Sequence, residues 1–297
     1  DAEYYLEPLV AGGQVKGRFN ALNLQRTEGT SFQRFSGDIG WDISRTAKSG
    51  EQFGAFADVR GDVYVVDEDV INGVGQNKSS VQTRVMPTLG VEYRWPWIST
   101  GEKSSQIIEP IVQAIYSPSN SNPRDIPNDD SLSVDFDTTH LFDRNRYPGL
   151  DRFEDGARVN YGLQYSLLGD NGGQANILLG QSYRLEESAT FPAGSGLQDS
   201  DSDVVGRVQI NPGPYLDVVG RFRADPKDGK LLRNEVSLTS SFNLFEDRGV
   251  GISANYVFLD ADLDTVNNRE GEEVTGSFSF NFAENWWMNG HARRDLR

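Results

Sequence analysis

The sequence has 297 residues and sets 28 Lys and Arg against 44 Asp and Glu, a formal net charge of −16 and a pI near 4.6 that exclude a nucleic-acid surface as the expected partner. It contains no Cys, so disulfides, thiolate metal sites and cysteine nucleophiles are excluded. Mean hydropathy is −0.53 and no apolar run approaches the roughly 18 residues a transmembrane helix needs, but a transmembrane β-barrel, in which only alternate residues meet lipid, is compatible with that average.

Taken in order, the chain alternates apolar and polar residues with period two. This alternation runs through residues 4–10 and 15–24; in 35–44, Phe35, Gly37, Ile39, Trp41 and Ile43 share one face, and Ser36, Asp38, Gly40, Asp42 and Ser44 the other. The pattern continues through 53–65, 81–95, 107–116, 157–167, 175–185, 204–210, 216–224, 235–244, 250–258, 274–282 and 286–292. That predicts about 14 strands and no amphipathic helix, within one sheet system over 1–297. Pro87 and Pro110 fall inside strands, and since proline has no N–H for the ladder, each predicts a bulge or a weakened pairing.

Many of these runs suit the 9–11 residues of a tilted membrane strand better than the five or six of an ordinary one. Tight connections at 169–173 and 225–229 contrast with long acidic ones at 67–80, 186–203 and 260–273, the division expected of an outer-membrane barrel. Aromatic residues gather at predicted strand ends (Tyr4 and Tyr5; Tyr93, Trp95 and Trp97; Trp286 and Trp287), as interfacial girdles do. Alternation alone leaves two architectures open. In a soluble sandwich the apolar faces form the core, whereas in a barrel they meet lipid and the polar faces line a lumen.

Candidate chemistry is sparse. His140 and His291 are the only histidines, too few for a histidine-based metal site or triad. Asp260, Asp262 and Asp264 resemble the start of a calcium loop, but Thr265 stands where the turn needs Gly and Gly271 where a bidentate Glu is required. The acidic pair Asp129 and Asp130 and the run Asp199, Asp201 and Asp203 read first as solvated loops. No cofactor is expected, and no nucleotide motif is present.

The stretch between two good strands, 118–156, is far longer than an ordinary connection and rich in Asp, Asn, Arg and Pro. Its motifs follow in order: Glu109-Pro110, Gln113, Tyr116 and Pro118; Ile126-Pro127-Asn128-Asp129-Asp130-Ser131; Phe136-Asp137; Leu141-Phe142; Asn145-Arg146-Tyr147-Pro148-Gly149-Leu150-Asp151-Arg152-Phe153-Glu154-Asp155-Gly156; and Arg158-Val159-Asn160-Tyr161-Gly162-Leu163. This succession resembles the LPS-assembly protein LptD family, also called OstA or Imp, in its alphaproteobacterial form. The positions carrying the resemblance, taken as a structural or luminal loop, are Asp129, Asp130, Asn145, Arg146, Gly149, Asp151, Arg152, Asp155 and Gly156.

The resemblance implies an outer-membrane translocon without an enzymatic step. Such a protein has a large β-barrel behind an N-terminal periplasmic jellyroll and a plug lipoprotein of the LptE type. It receives lipopolysaccharide from periplasmic bridge proteins and releases it through a lateral opening into the outer leaflet of a Gram-negative outer membrane. The chain departs from the family in lacking the jellyroll, the cysteines and the full strand count, and residues 293–297 read as a strand cut in mid-course. It therefore reads as an internal to C-terminal part of the barrel, with no lateral gate assignable. The long loop is expected to fold against or into the barrel mouth through paired contacts of Arg144, Arg146, Asp151, Arg152 and Asp155. A general porin is the alternative, and a soluble sandwich or adhesin-like domain a third.

Overall fold

A computed structural model of the chain describes residues 2–68, 78–119, 121–186, 191–245, 248–263, 269–283 and 285–297. Its strands are β1 (Ala2–Val10), β2 (Gly13–Leu24), β3 (Thr30–Thr46), β4 (Gln52–Glu68), β5 (Lys78–Arg94), β6 (Trp97–Thr100), β7 (Ser104–Ser117) and β8 (Gly156–Gly169). They continue as β9 (Gln174–Arg184), β10 (Val204–Gly213), β11 (Leu216–Ala224), β12 (Leu231–Phe245), β13 (Arg248–Leu259), β14 (Gly271–Ala283) and β15 (Trp286–Asp295). All 15 belong to one antiparallel sheet in which sequence neighbours pair, except that β5 pairs with β7 and the short β6 pairs with β7 alone; β1 and β15 lie at its two ends, so the sheet is open rather than closed. A single 3-10 turn, Ala261–Leu263, is the one helical element among the described residues. No described helix is long and apolar enough to cross a membrane, a finding that leaves crossing by strands untouched.

The fourteen predicted strands are all present, and the fifteenth, β6, is a short strand that the alternation did not single out. The run predicted to end at Trp95 ends as β5 at Arg94, and β6 follows beside the first half of β7, pairing Trp97 with Ile108 through Thr100 with Ser105. The interruption is Trp95-Pro96, where the Trp95 N–H still reaches the Pro110 carbonyl at 3.2 Å. Pro110 thus lies opposite the gap, where its missing N–H removes little from the ladder. Pro87 lies just beyond Leu89, the first β5 residue to pair with β7, on a part of β5 that β7 does not reach. The β5–β7 ladder is left with six residue pairs, Leu89–Arg94 against Tyr116–Ile111, compared with seventeen between β4 and β5.

Because direction alternates, connections fall in turn on two ends of the sheet. One end carries 11–12, 47–51, 101–103, 170–173 and 214–215; the other carries 25–29, 118–155, 185–203, 225–230 and 260–270. All the long ones share an end, together with the tight turns 25–29 and 225–230. Of the acidic loops read from the sequence, residues 69–77, 187–190 and 264–268, including Asp264 and Thr265, lie outside the described residues.

Burial decides which face is inside. The apolar face is exposed: Ile39 is 65%, Val59 50% and Val85 70% accessible. The polar face carries the buried residues Arg34, Ser36, Arg60, Asp62, Arg84 and Thr88. A soluble sandwich requires the opposite, since exposing that much contiguous apolar surface to water has no compensation. This inverted polarity overturns the sandwich alternative.

The apolar packing that does exist is made by loops on the polar face. Val134, Phe136, Leu141 and Tyr147 of the 118–155 connection pack with Phe191, Leu197 and Val205, and Tyr147 stacks on Phe191 with ring centroids 4.9 Å apart. A second cluster sets Ile126 against Phe32, Tyr64 and Val66. Each such fully buried side chain stabilises by about 1.5–3 kcal/mol relative to exposure.

Candidate functional site

The long loop leaves β7 and re-enters β8 at paired positions, Ser117 and Gly156. Gly156 makes this re-entry with φ near +85°, a backbone conformation costly for any other residue. Between these points the chain crosses the polar face, and each candidate residue is fixed by a specific partner.

At the centre, segments 129–130 and 150–151 hold each other. The Asp130 carboxylate accepts the N–H groups of Leu150 at 3.0 Å and Asp151 at 2.9 Å, and the Asp151 carboxylate accepts those of Asp129 at 2.8 Å and Asp130 at 3.2 Å. Arg34 Nη1, rising from β3, lies 2.6 Å from each carboxylate. The Tyr64 hydroxyl donates to Asp151 at 3.1 Å. Burial alone would raise the Asp130 acid, but the Leu150 N–H, Arg34 and the Asp151 N–H outweigh it and hold it far below the usual carboxylate range. Gly149 is required by this approach, since a Cβ there would lie 2.1 Å from the Asp130 carboxylate.

The β4–β5 wall holds the same turn through its backbone. Arg60 and Arg84 both donate to the Leu150 carbonyl, and Arg84 also donates to the Asp151 carbonyl at 3.0 Å. The two guanidiniums share the fully buried Asp62, at 3.0 Å and 2.7 Å. Arg144 reaches further along the wall, pairing with Asp58 at 2.8 Å and with Asp42, its guanidinium 3.8 Å from the Phe56 ring centre. Asp129 receives Arg26 at 2.6 Å.

A second polar centre forms where the loop meets β8 and β9. Glu154, fully buried, accepts from Arg146 at 3.2 Å and lies 3.3 Å from Arg158 and 3.8 Å from Arg184. Arg146 also donates to Ser182 at 2.9 Å, to Asn160 and to the His140 and Leu141 carbonyls. Burial lowers its pKa to about 10, Glu154 opposing and Arg158 and Arg184 reinforcing the shift. Asn145 accepts the Glu154 N–H at 3.0 Å, and Asp155 accepts the Ser121 N–H at 3.0 Å. Arg152 turns inward on the loop, donating to the Ile126, Pro127 and Asp151 carbonyls.

The loop also spans the curved sheet. Asp135 pairs with Arg223 of β11 at 3.5 Å and with Arg233 of β12, so one segment is tied to β2–β5 and, at the opposite side, to β11–β12. Among the described residues no group of acidic and histidine side chains could hold a metal ion. His140 is engaged with Asp137 at 3.1 Å.

The structure therefore places the nine candidates in two groups, Asp129, Asp130, Gly149, Asp151 and Arg152 at the β3–β5 wall and Asn145, Arg146, Asp155 and Gly156 at β8–β9. Sequence reasoning did not single out their partners Arg34, Arg60, Asp62, Tyr64 and Arg84. The available signal was parity: each is a polar or aromatic residue on the strand face opposite the exposed apolar residues. Glu154 lay within the motif but outside the candidates.

Between the loop and the β1–β5 wall lies a cleft of about 1040 Å³. Lys16, Arg18, Arg34, Ser36, Asp38, Arg60, Phe142, Arg144 and Tyr147 contribute to its wall.

A family model described as LPS transport system D, LptD, matches residues 1–286. The chain is 25% identical over 203 residues to an LPS-assembly protein LptD of Thiobacillus denitrificans, covering 65% of this chain and 27% of that protein. It is 24% identical over 219 residues to one of Pseudoalteromonas atlantica, covering 72% and 27%. A shorter match, 32% identical over 85 residues, is to one of Nitrosospira multiformis, covering 29% of this chain and 9% of that protein. The chain thus spans about a quarter of the length of the first two relatives.

Proposed function

The chain belongs to the LPS transport system D (LptD) family, and from that membership we propose that it forms part of the wall of an outer-membrane barrel that places lipopolysaccharide in the outer leaflet. The observation that carries the reading is the inverted polarity of the sheet: apolar residues such as Ile39, Val59 and Val85 are exposed on one face, while charged ones are buried on the other. Strands built this way are stable where lipid replaces water on the outer face. The open ends at β1 and β15 would then be met by further strands of a larger barrel.

Transport by such a wall needs no bond broken. A charged, hydrated saccharide head stays in a polar lumen while acyl chains stay in apolar surroundings, so each end of the substrate keeps its preferred solvent. The long loop, tied to β2–β5 and to β11–β12, narrows that lumen at the long-loop end. Lipopolysaccharide is the substrate of this reading, and a plug lipoprotein and periplasmic bridge proteins are its partners.

Depletion of the gene in its Gram-negative host tests the reading. Labelling of surface lipopolysaccharide with a membrane-impermeant reagent is expected to fall as the protein is diluted out. Unchanged surface lipopolysaccharide with reduced uptake of small solutes would instead identify a general channel.

A further inference from the structure

Two cavities lie on the polar face beside β2–β5. One is the cleft of about 1040 Å³ under the long loop; the other, of about 460 Å³, is walled by Gln14, Ser44, Gln52, Glu92 and Arg94 and lies nearer the end of the sheet that carries the turns 11–12 and 47–51. Among the described residues Arg144 alone lines both. Its guanidinium lies 3.8 Å from the Phe56 ring centre and pairs with Asp58 at 2.8 Å and with Asp42. The register builds this seat. Asp42 of β3 stands opposite Phe56 of β4, and Phe56 opposite Gly90 of β5. A Cβ on Gly90 would lie 2.2 Å from the Phe56 ring, so the bare glycine gives the ring its place and the guanidinium closes over it.

The neighbouring row carries a second cation. Lys16 of β2, Gly40 of β3 and Asp58 of β4 stand opposite one another, and Lys16 already pairs with Asp42 at 3.1 Å. A Cβ on Gly40 would lie 2.2 Å from Asp58 Oδ1 and 3.1 Å from Lys16 Cε, so the lysine and the aspartate share the space a side chain would take. When Arg144 leaves, Lys16 remains with Asp42 and beside Asp58, and neither carboxylate is stranded. The central anchor of the loop is enclosed instead. The side chains of Arg34 and Asp151 are 5% and 0% exposed, against 31%, 33% and 22% for Arg144, Asp42 and Asp58. Partly hydrated pairs of this kind are weak and screened by salt, whereas enclosed pairs are screened much less.

We infer that Arg144 is a movable bar between the two cavities and that Lys16 is its stand-in. With the bar down, as in this structure, the polar passage along β2–β5 is shut to small hydrated solutes. With the bar lifted, Lys16 neutralises Asp42 and Asp58, the two cavities join, and the loop stays anchored through Arg34, Asp130 and Asp151. This rests on the barrel part of the reading above, in which the polar face lines a lumen, and not on the identity of the substrate.

The complete protein, with any partner that copurifies, is reconstituted in planar bilayers, and its conductance is measured in KCl from about 0.1 to 1 M, a range over which the screening length falls roughly threefold. The parent is expected to conduct more than in proportion to salt, because salt lifts the bar. Arg144→Ala should conduct about two- to fivefold more than the parent at the lower salt, the population shift of one exposed ion pair, and in simple proportion to salt. Lys16→Met, which removes the stand-in, should conduct about two- to fivefold less than the parent, since lifting the bar then strands both carboxylates. Arg18→Ala, which removes a cation from the larger cavity alone, should conduct as the parent does.

The opposite signs of the Arg144 and Lys16 variants separate a bar with a stand-in from two residues that merely support the wall, for which both variants would leak. Equal conductance of Arg144→Ala and the parent, a rise in Lys16→Met, or a rise in Arg18→Ala as large as that in Arg144→Ala would overturn the inference and leave the proposed function standing. Should Arg144→Ala fail to insert, Lys16→Met decides, because it keeps the bar. A parent protein that does not insert into the bilayer at all would sink the barrel reading and the bar with it.

Discussion

Asp130 and Asp151 cap each other's backbone: each carboxylate accepts the amide protons at the other's position, and Arg34 Nη1 lies 2.6 Å from both. The contact joins loop segments about twenty residues apart and ties them to β3 with a single guanidinium. Asp151 is the more buried of the two, with no exposed side-chain surface. Asp151→Ala leaves a buried Arg34 with one carboxylate fewer and two amides without an acceptor, so a loss of about 3–5 kcal/mol is expected. Amide exchange across 126–153 should accelerate sharply while exchange in β12–β14 stays unchanged. Equal acceleration everywhere would show that the loop is not an independent unit.

The same centre sets a pH dependence. Asp130 lies in a loop at the strand ends, and its folded-state acid is held below the unfolded value by Leu150, Arg34 and Asp151 against the opposing effect of burial. A depressed carboxylate contributes stability that is fully present above the unfolded pKa of about 3.9 and is lost as pH falls through the folded value. Protease resistance of the loop should therefore be flat from neutral pH down to about 5 and decline below about 4. In Asp130→Asn the part of that decline due to this residue should disappear, on a background already less resistant.

Gly149 offers a test of geometry alone. An added Cβ would meet the Asp130 carboxylate at 2.1 Å and its carbonyl at 2.5 Å, and neither can move without releasing the amides of Leu150 and Asp151. Gly149→Ala should cost about 1–3 kcal/mol and shift loop exchange in the same region as Asp151→Ala. Combining the two should give less than the sum, because both disrupt one contact.

Much of this was legible in the sequence. Period-two alternation located every long strand because side-chain direction in a strand is fixed by parity, and the motif from Asn145 to Gly156 marked the loop. The strand end near Trp95 was legible, one residue past the Arg94 where β5 stops, but β6 beyond Pro96 was not, because four residues are too short to show a period and only the ladder reveals their pairing with β7. The partners of the loop were hidden for a different reason. Arg34, Arg60 and Arg84 lie on three strands, 66 to 117 residues from the Leu150 and Asp151 groups they hold, and nothing local in the chain encodes such a distance. Which face is inside also could not follow from alternation, since a sandwich and a barrel share the same pattern.

The outer face supplies a direct check on that last point. Val59 lies between Ile39 on β3 and Pro87 on β5, on the exposed apolar side. Val59→Lys should cost about 2–4 kcal/mol if the site meets the bilayer midplane, and less near an interface. Its neighbour Asp58 points to the polar side, where it holds Arg144, and Asp58→Asn should leave membrane insertion intact. The measurement is the fraction of protein showing a heat-dependent gel shift after membrane extraction. Equal insertion of Val59→Lys and the parent would contradict a lipid-facing surface.

The β5–β7 seam should be the softer part of this wall. It holds six consecutive pairs, where the adjoining β4–β5 ladder holds seventeen, and prolines lie just past each of its limits, Pro87 at one end and Pro96 with Pro110 at the other. Opening such a seam breaks few backbone bonds, and local opening free energy sets the rate of amide exchange. The loop partly compensates: it is continuous with β7 and β8 yet anchored to β3–β5 by Asp130, Asp151 and Arg144, so it crosses the seam from the polar side. Amides of Leu89–Arg94 that face β7 should therefore exchange faster than those of the β4–β5 ladder in the parent. In Asp151→Ala the difference should widen, because the tie across the seam is weakened while the ladder itself is untouched. A seam that exchanges no faster than β4–β5 in either protein would show that its six pairs and the Thr88–Ser117 hydroxyl contact of 2.9 Å are sufficient without the loop.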